Sequence, residues 1–185
     1  SNYFSALVSF ENDNNKDALK FFHSSRFLKE SHHLYIKKYI VSLTLEGKVS
    51  EAITELKKVK NKELIKFFEA DLLLLVDSIK NKNYENASLN VKNLKKNNVR
   101  SSFNDYIISV LEDYIYLFNN NKTNETKKNS YGDLDVINKA FQNCYLNSAK
   151  TNLFFNEAIN AEGGDNSRYL FFYVNYLINT DQIQV

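Results

Sequence analysis

The stretch Gly47-Lys48-Val49-Ser50-Glu51-Ala52-Ile53-Thr54-Glu55-Leu56 reads as a tight turn followed by the start of a helix, with a small residue one turn in. Two other stretches have the same form. Asp13-Asn14-Asn15-Lys16-Asp17-Ala18 leads to Phe22, and Lys82-Asn83-Tyr84-Glu85-Asn86-Ala87 leads to Val91. Ala18, Ala52 and Ala87 therefore recur at intervals of 34 and 35 residues, and a period near 34 in a helical chain marks a helix-turn-helix solenoid. A single helix pair cannot bury both of its faces, so pairs stack, and small residues sit where neighbouring helices come close.

Working outward, Tyr3, Phe4, Leu7 and Phe10 form an apolar stripe for a first helix with Ala6 as its small contact point. Asn14 is a cap for a second helix running to about residue 29, with Ala18, Leu19, Phe21, Phe22 and Leu28 inward. Ser31 is the expected cap of a third, lined by Leu34, Ile36, Tyr39, Ile40 and Leu43 up to Gly47. Residues 49–60 return with Ala52, Ile53, Leu56 and Val59 inward. A longer helix from Leu64 through Phe67, Leu72 and Val76 to Ile79 is answered, after a cap at Asn83, by Ala87, Val91 and Leu94. A further helix spans Ser101 to about Asn119. The period is then lost in the polar run Asn119 to Ser130, which has no apolar face to bury and reads as an inserted loop. Helices resume at about 133–147, 149–161 and 167–180, the second ending at Gly163-Gly164 and the third opening after Asp165 or Ser167. The last is rich in rings: Tyr169, Phe171, Phe172, Tyr173 and Tyr176.

Composition bounds the function. With 185 residues, 43% of them hydrophobic, the chain can form one continuous core, and its single Cys144 argues against a disulfide framework or a cysteine-rich metal site. A balance of 24 basic and 22 acidic residues, net +2, gives little support to a partner selected by charge alone. The longest apolar runs, Leu72 to Val76 and Leu170 to Val174, are far short of the ~20 residues a membrane span requires. Proline is absent, so Asn and Gly must punctuate the helices.

On Ala6, Ala18, Ala52 and Ala87, on Phe22, Leu56 and Val91 after them, and on the turns Gly47-Lys48-Val49 and Lys82-Asn83-Tyr84, the chain resembles the tetratricopeptide repeat (TPR) family. It departs from that family in lacking Trp and a repeat-closing Pro, and in carrying Ile40 where a small residue is expected. The resemblance implies an all-α fold, an α-solenoid of antiparallel helix pairs wound into a right-handed superhelix. Residues 1–185 would form one helical-repeat domain: regular repeats over 1–118, the polar inserted loop over 119–131 and divergent helical repeats over 132–185. Carried over by register, the family's concave face would fall on Tyr3, Leu7, Phe10, Lys37, Val41, Thr44, Leu72, Val76, Ile79, Tyr106, Val110 and Asp113. A partly apolar groove of that kind suits an extended peptide or a partner's helix. The family's carboxylate clamp is missing, since residues 3–11 contain neither of the Lys and Asn it requires.

The search for reactive chemistry leaves a non-catalytic protein-protein interaction scaffold that needs no cofactor. No Gly-rich phosphate loop ends in Lys-Ser/Thr, and no nucleophile elbow occurs. His23, His32 and His33 lack the i, i+4 spacing of a metal site and read as surface residues near a turn. Glu51 and Glu55 read as an exposed i, i+4 pair. Lys57, Lys58, Lys60, Lys62 and Lys66, with Lys92, Lys95, Lys96 and Arg100, cluster near helix ends, where lysines complement the macrodipole and keep a surface soluble. Nucleic acid is the disfavoured partner, and a helical repeat that binds it, or a regulatory segment of a larger enzyme, are the alternatives. The ring-rich last helix has apolar residues on both sides. It implies continuation of the array, rest in the groove, or self-association through that helix.

Overall fold

In the computed structural model, residues 2–97, 101–124, 131–161 and 166–182 are described. They are all-α: ten α-helices and two short 3-10 turns, with no strand among the described residues. The chain divides into two compact units, Ser1–Ile108 and Ser109–Val185.

In the first unit α1 (Asn2–Glu11) packs on α2 (Asn15–Ser24), α2 on α3 (His33–Leu45), α3 on α4 (Val49–Lys58), α4 on α5 (Phe68–Lys80) and α5 on α6 (Tyr84–Asn97). Helices α1, α3 and α5 also touch one another in succession. The reversals after these three helices share one geometry. At Gly47, with φ +72°, the backbone turns left-handed; its N–H donates to Thr44 O (3.0 Å), and the Lys48 N–H donates to Leu43 O (2.8 Å). This pair of bonds satisfies carbonyls that the helix end leaves open. Asp13 (φ 56°) repeats it with bonds from Asp13 N–H to Phe10 O and Asn14 N–H to Ser9 O. Lys82 (φ 56°) does so with bonds to Ile79 O and, from Asn83 N–H, to Ser78 O. Two of the returning helices then gain a side-chain cap, as expected: Asn14 Oδ1 accepts from Asp17 N–H (3.2 Å) and Asn83 Oδ1 from Asn86 N–H (3.1 Å).

Five residues beyond each left-handed position stands Ala18, Ala52 or Ala87, each fully buried, and four further on Phe22, Leu56 or Val91, also buried. Around them Tyr35, Ile36, Tyr39, Ile40 and Leu43 of α3 complete the core. At roughly 1.5–3 kcal/mol per large apolar side chain removed from water, this central helix contributes most. Tyr35 is tolerated there because its hydroxyl donates to Phe22 O (2.9 Å).

Several expected boundaries shift. The second helix stops at Ser24, not near residue 29, because buried Ser25 donates its N–H to Phe22 O and the chain tightens into the 3-10 turn Arg26–Leu28. His32 replaces Ser31 as the cap of α3, its Nδ1 accepting from Tyr35 N–H (3.2 Å). Leu34, expected inward, is exposed, and Tyr35 takes the buried position. Leu64 and Phe67 precede α5 and do not belong to it, since the Asn61 side chain accepts from Glu63 N–H and starts the 3-10 turn Lys62–Ile65.

The second unit carries the remainder of α7 (Ser102–Asn120), then α8 (Asp133–Tyr145), α9 (Thr151–Asn160) and α10 (Ser167–Asn179). Helix α8 packs on α9 and α9 on α10. Here the interval near 34 returns in the turns although the sequence hides it. Asn147 (φ 50°) and Asp181 (φ 55°) lie 34 residues apart, and each is followed by the same paired bonds, Ser148 N–H to Asn143 O and Gln182 N–H to Leu177 O. The core is aromatic: Phe141 meets Phe155, Tyr169 and Phe172 edge-on at 5.7, 6.2 and 5.1 Å, and Tyr173 stacks on Phe155 at 5.1 Å. The expected inserted loop begins later than Asn119, because α7 continues to Asn120. Its residues 125–130, the expected stops Gly163-Gly164, the start at Asp165, and Asn98 and Arg100 lie outside the described residues.

Two predictions follow from the turns and the close contact. A Cβ added at Gly47 meets nothing within 4 Å, so Gly47→Ala pays only for its left-handed backbone and lowers unfolding free energy by about 1–2 kcal/mol, whereas Lys82→Gly raises it. Urea unfolding of both variants measures this, and a neutral Gly47→Ala would contradict it. Ala52→Leu overpacks the buried contact and costs about 1–3 kcal/mol, while Thr54→Leu on the exposed side of the same helix changes little. Equal melting temperatures would show that Ala52 marks no close approach.

Candidate functional site

The side chains expected to line a groove are distributed over both units, and each set is described where it lies. Tyr3, Leu7 and Phe10 on α1, Lys37, Val41 and Thr44 on α3, Leu72, Val76 and Ile79 on α5, and Tyr106 on α7 belong to the first unit. All are half-buried except Val76, which is 46% exposed. Tyr3 and Phe10 pack partly against the core, Tyr3 with its ring 5.1 Å from His32. Lys38 lies over the Phe10 ring, 4.1 Å from its centroid, while its ammonium pairs with Glu11 at 2.7 Å. Lys37 reaches from α3 to Glu69 of α5 (3.4 Å), and Thr44 Oγ1 donates back to Ile40 O (2.9 Å). The contacts of α3 with α1 and with α5 thus leave Leu7, Val41, Leu72, Val76 and Ile79 as an apolar, incompletely covered set on three successive helices.

Val110 and Asp113 belong to the second unit. Asp113 is buried, and the Asn124 side chain donates to its Oδ1 at 3.3 Å, so it is a packed polar residue and not an open lining group.

The histidines stay at the surface, half-buried at His23 and His32 and exposed at His33, and each makes a local contact there: His23 meets Tyr39 edge-on, His32 caps α3, and His33 Nδ1 lies 2.9 Å from Leu64 O. Burial pushes the Cys144 thiol above its ordinary value, which keeps it protonated and poorly nucleophilic.

The reading of Glu51 and Glu55 as an exposed pair is overturned at Glu55. It is only 7% exposed, and its carboxylate is held by Lys29 at 2.7 Å and Lys58 at 3.3 Å. Lys29 lies beyond the 3-10 turn that ends the second helix, a link across 26 residues that no local spacing announces. Burial alone would push this carboxyl upward; hydrogen bonds and charge from Lys29 and Lys58 outweigh it and hold the group below its ordinary value.

A second arrangement was not anticipated in the sequence. Leu56, Ile65 and Leu74 line a cleft of about 370 Å³ where the end of α4, the 3-10 turn Lys62–Ile65, α5 and α6 meet, and Lys57, Lys62, Lys66 and Lys96 surround it. An adjoining cleft of about 320 Å³ shares Lys57, Leu74 and Asn90 with it and is otherwise lined by Asn81, Asn83, Asn86, Ser78 and Asp77, the last paired with Lys57. Clustered lysines were visible in sequence. Their convergence on one opening required the chain reversals. No helix among the described residues is long and apolar enough to cross a membrane.

Because the folded-state value of Glu55 is depressed, its contribution to stability is complete above the unfolded value near 4.5 and is lost as pH falls through the folded value. Glu55→Gln is therefore expected to cost about 1–3 kcal/mol at pH 7 and progressively less below pH ~4. Denaturant titration of both proteins at pH 7 and pH 3 measures it; a gap that does not shrink in acid contradicts the assignment. No family model, curated protein or solved structure matches this chain.

Proposed function

We propose that the chain is a non-catalytic protein-binding scaffold, its first unit a TPR-like α-solenoid of antiparallel helix pairs in a right-handed superhelix. A partner peptide or helix lies on the face of α1, α3 and α5. The observation that carries the reading is the threefold turn. Positions 13, 47 and 82 share left-handed backbone and the same two hydrogen bonds, and each is followed at a fixed distance by a fully buried alanine. Repetition of one unit at a constant interval is the construction of a solenoid, and the direct contacts among α1, α3 and α5 agree with first helices lining a common face.

The binding face follows from what that construction leaves uncovered. Leu7, Val41, Leu72, Val76 and Ile79 are apolar yet incompletely buried, whereas the residues between helices, such as Ile40 and Leu75, are fully enclosed. Lys37, Thr44 and Glu69 interrupt the apolar surface and supply polar groups that orient a ligand. An apolar patch with a few polar groups recognises a segment of chain by side-chain burial more than by charge, so its affinity changes little with salt.

The test uses Val76→Asp, which places a charge in the proposed groove at a position exposed enough to spare the fold. The variant is expected to melt within a few degrees of the wild type and to lose the partner that the wild-type chain retains from extract of its native cell, at low and at high salt alike. Retention of the same partner by folded Val76→Asp would place binding elsewhere.

A further inference from the structure

The lysine-ringed cleft of the first unit lies on α4, α5 and α6, and its lining includes none of the residues assigned to the proposed groove. Its floor is apolar, from Leu56, Ile65 and Leu74, and its rim is cationic. Two of the rim lysines are neutralised locally: Lys57 by Asp77 at 2.6 Å and Lys66 by Glu63 at 2.5 Å. Lys62 and Lys96 have no carboxylate partner among the described residues and are exposed. Lys62 is nonetheless oriented, its ammonium donating a long hydrogen bond (3.4 Å) to Lys57 O at the end of α4. Asp71 also lines the cleft and is buried. A negative charge deep in the cleft would meet that carboxylate, so the floor accepts an apolar group and the rim accepts anions.

The neighbouring cleft decides between a small ion and a chain. It continues past Asn90, whose amide is occupied by Leu74 O and Ser78 Oγ, to the exposed amide of Asn86. Amides beside an apolar pocket serve the backbone of an extended segment, and a phosphate would leave both the apolar floor and this extension unused.

We propose that these adjoining clefts form a second docking site, for an extended acidic peptide of a partner protein that seats one apolar side chain on Leu56, Ile65 and Leu74 and places flanking carboxylates against Lys62 and Lys96. The charge complementarity acts at the rim, where it sets orientation and capture rate. This site shares only its class of partner with the groove reading and stands if that reading fails.

The test is titration of the full chain with a fluorescein-labelled peptide in which a leucine is flanked on both sides by glutamates, followed by anisotropy and by the side-chain amide signals of Asn86 and Asn93. Wild type is expected to bind, with both amide signals shifting. Lys62→Glu/Lys96→Glu, whose positions are exposed and leave the core intact, is expected to weaken binding about tenfold or more, and Lys16→Glu, an equally exposed lysine on α2 outside both clefts, to leave it unchanged. Replacing the peptide's leucine by serine is likewise expected to weaken it. Absence of binding to wild type, equal binding by the double-lysine variant, indifference to the leucine, or displacement of the peptide from these lysines by inorganic phosphate or single-stranded RNA would each overturn the proposal.

Discussion

A left-handed residue at the end of α1, α3 and α5 is the constraint from which the first unit is built. At Gly47 the conformation is nearly free; at Asp13 and Lys82 it costs about 1–2 kcal/mol, yet all three positions make the same two backbone hydrogen bonds. The cost is repaid within the next nine residues. The reversed chain sets Ala18, Ala52 or Ala87 against the preceding helix, and the buried Phe22, Leu56 or Val91 follows, each contributing more than the turn loses. The second unit uses the same device at Asn147 and Asp181, without glycine and with aromatic packing around Phe141 and Phe155 in place of the alanine contact.

Polar groups inside this framework act mainly as ties. Glu55 is buried because Lys29 and Lys58 reach it, and the link joins the end of the α2 region to α4 across chain segments that packing alone would align less specifically. Tyr35 and the ring nitrogens of His32 and His33 likewise bond to backbone at element ends. These residues carry the chemistry a sequence search singles out, and their partners give them structural work.

The surface left over by this packing is of two kinds. The incompletely covered side chains of α1, α3 and α5 are apolar with scattered polar groups, while the cleft on α4, α5 and α6 combines an apolar floor with a rim of lysines, of which Lys62 and Lys96 have no carboxylate partner among the described residues. On the proposed readings the two would discriminate partners differently, the first through shape and burial with little dependence on salt, the second through charge and weakening as salt rises. In the second unit Leu170, Phe171, Val174 and Ile178 of α10 stay exposed, while Tyr169 and Tyr173 turn toward Phe141 and Phe155.

Local sequence determined the helices, their caps at Asn14 and Asn83, the turn at Gly47 and the buried alanines. Each of these depends on residues within one or two turns of one another, and their preferences act over that range. It placed helix ends near Asn147 and residue 180 but did not reveal their left-handed backbone, because a polar residue adopting that conformation leaves no mark comparable to glycine. It also misplaced Leu34, Leu64 and Glu55. Whether a helix position faces core or solvent by one step, whether a strand of residues tightens into a 3-10 turn, and whether a carboxylate is buried are settled by partners far along the chain: Phe22 for Tyr35, Lys29 for Glu55. The convergence of Lys62 and Lys96 belongs to the same class. Charges distant in sequence meet only after two reversals of the chain, so tertiary structure alone decided that scattered lysines would line one cleft.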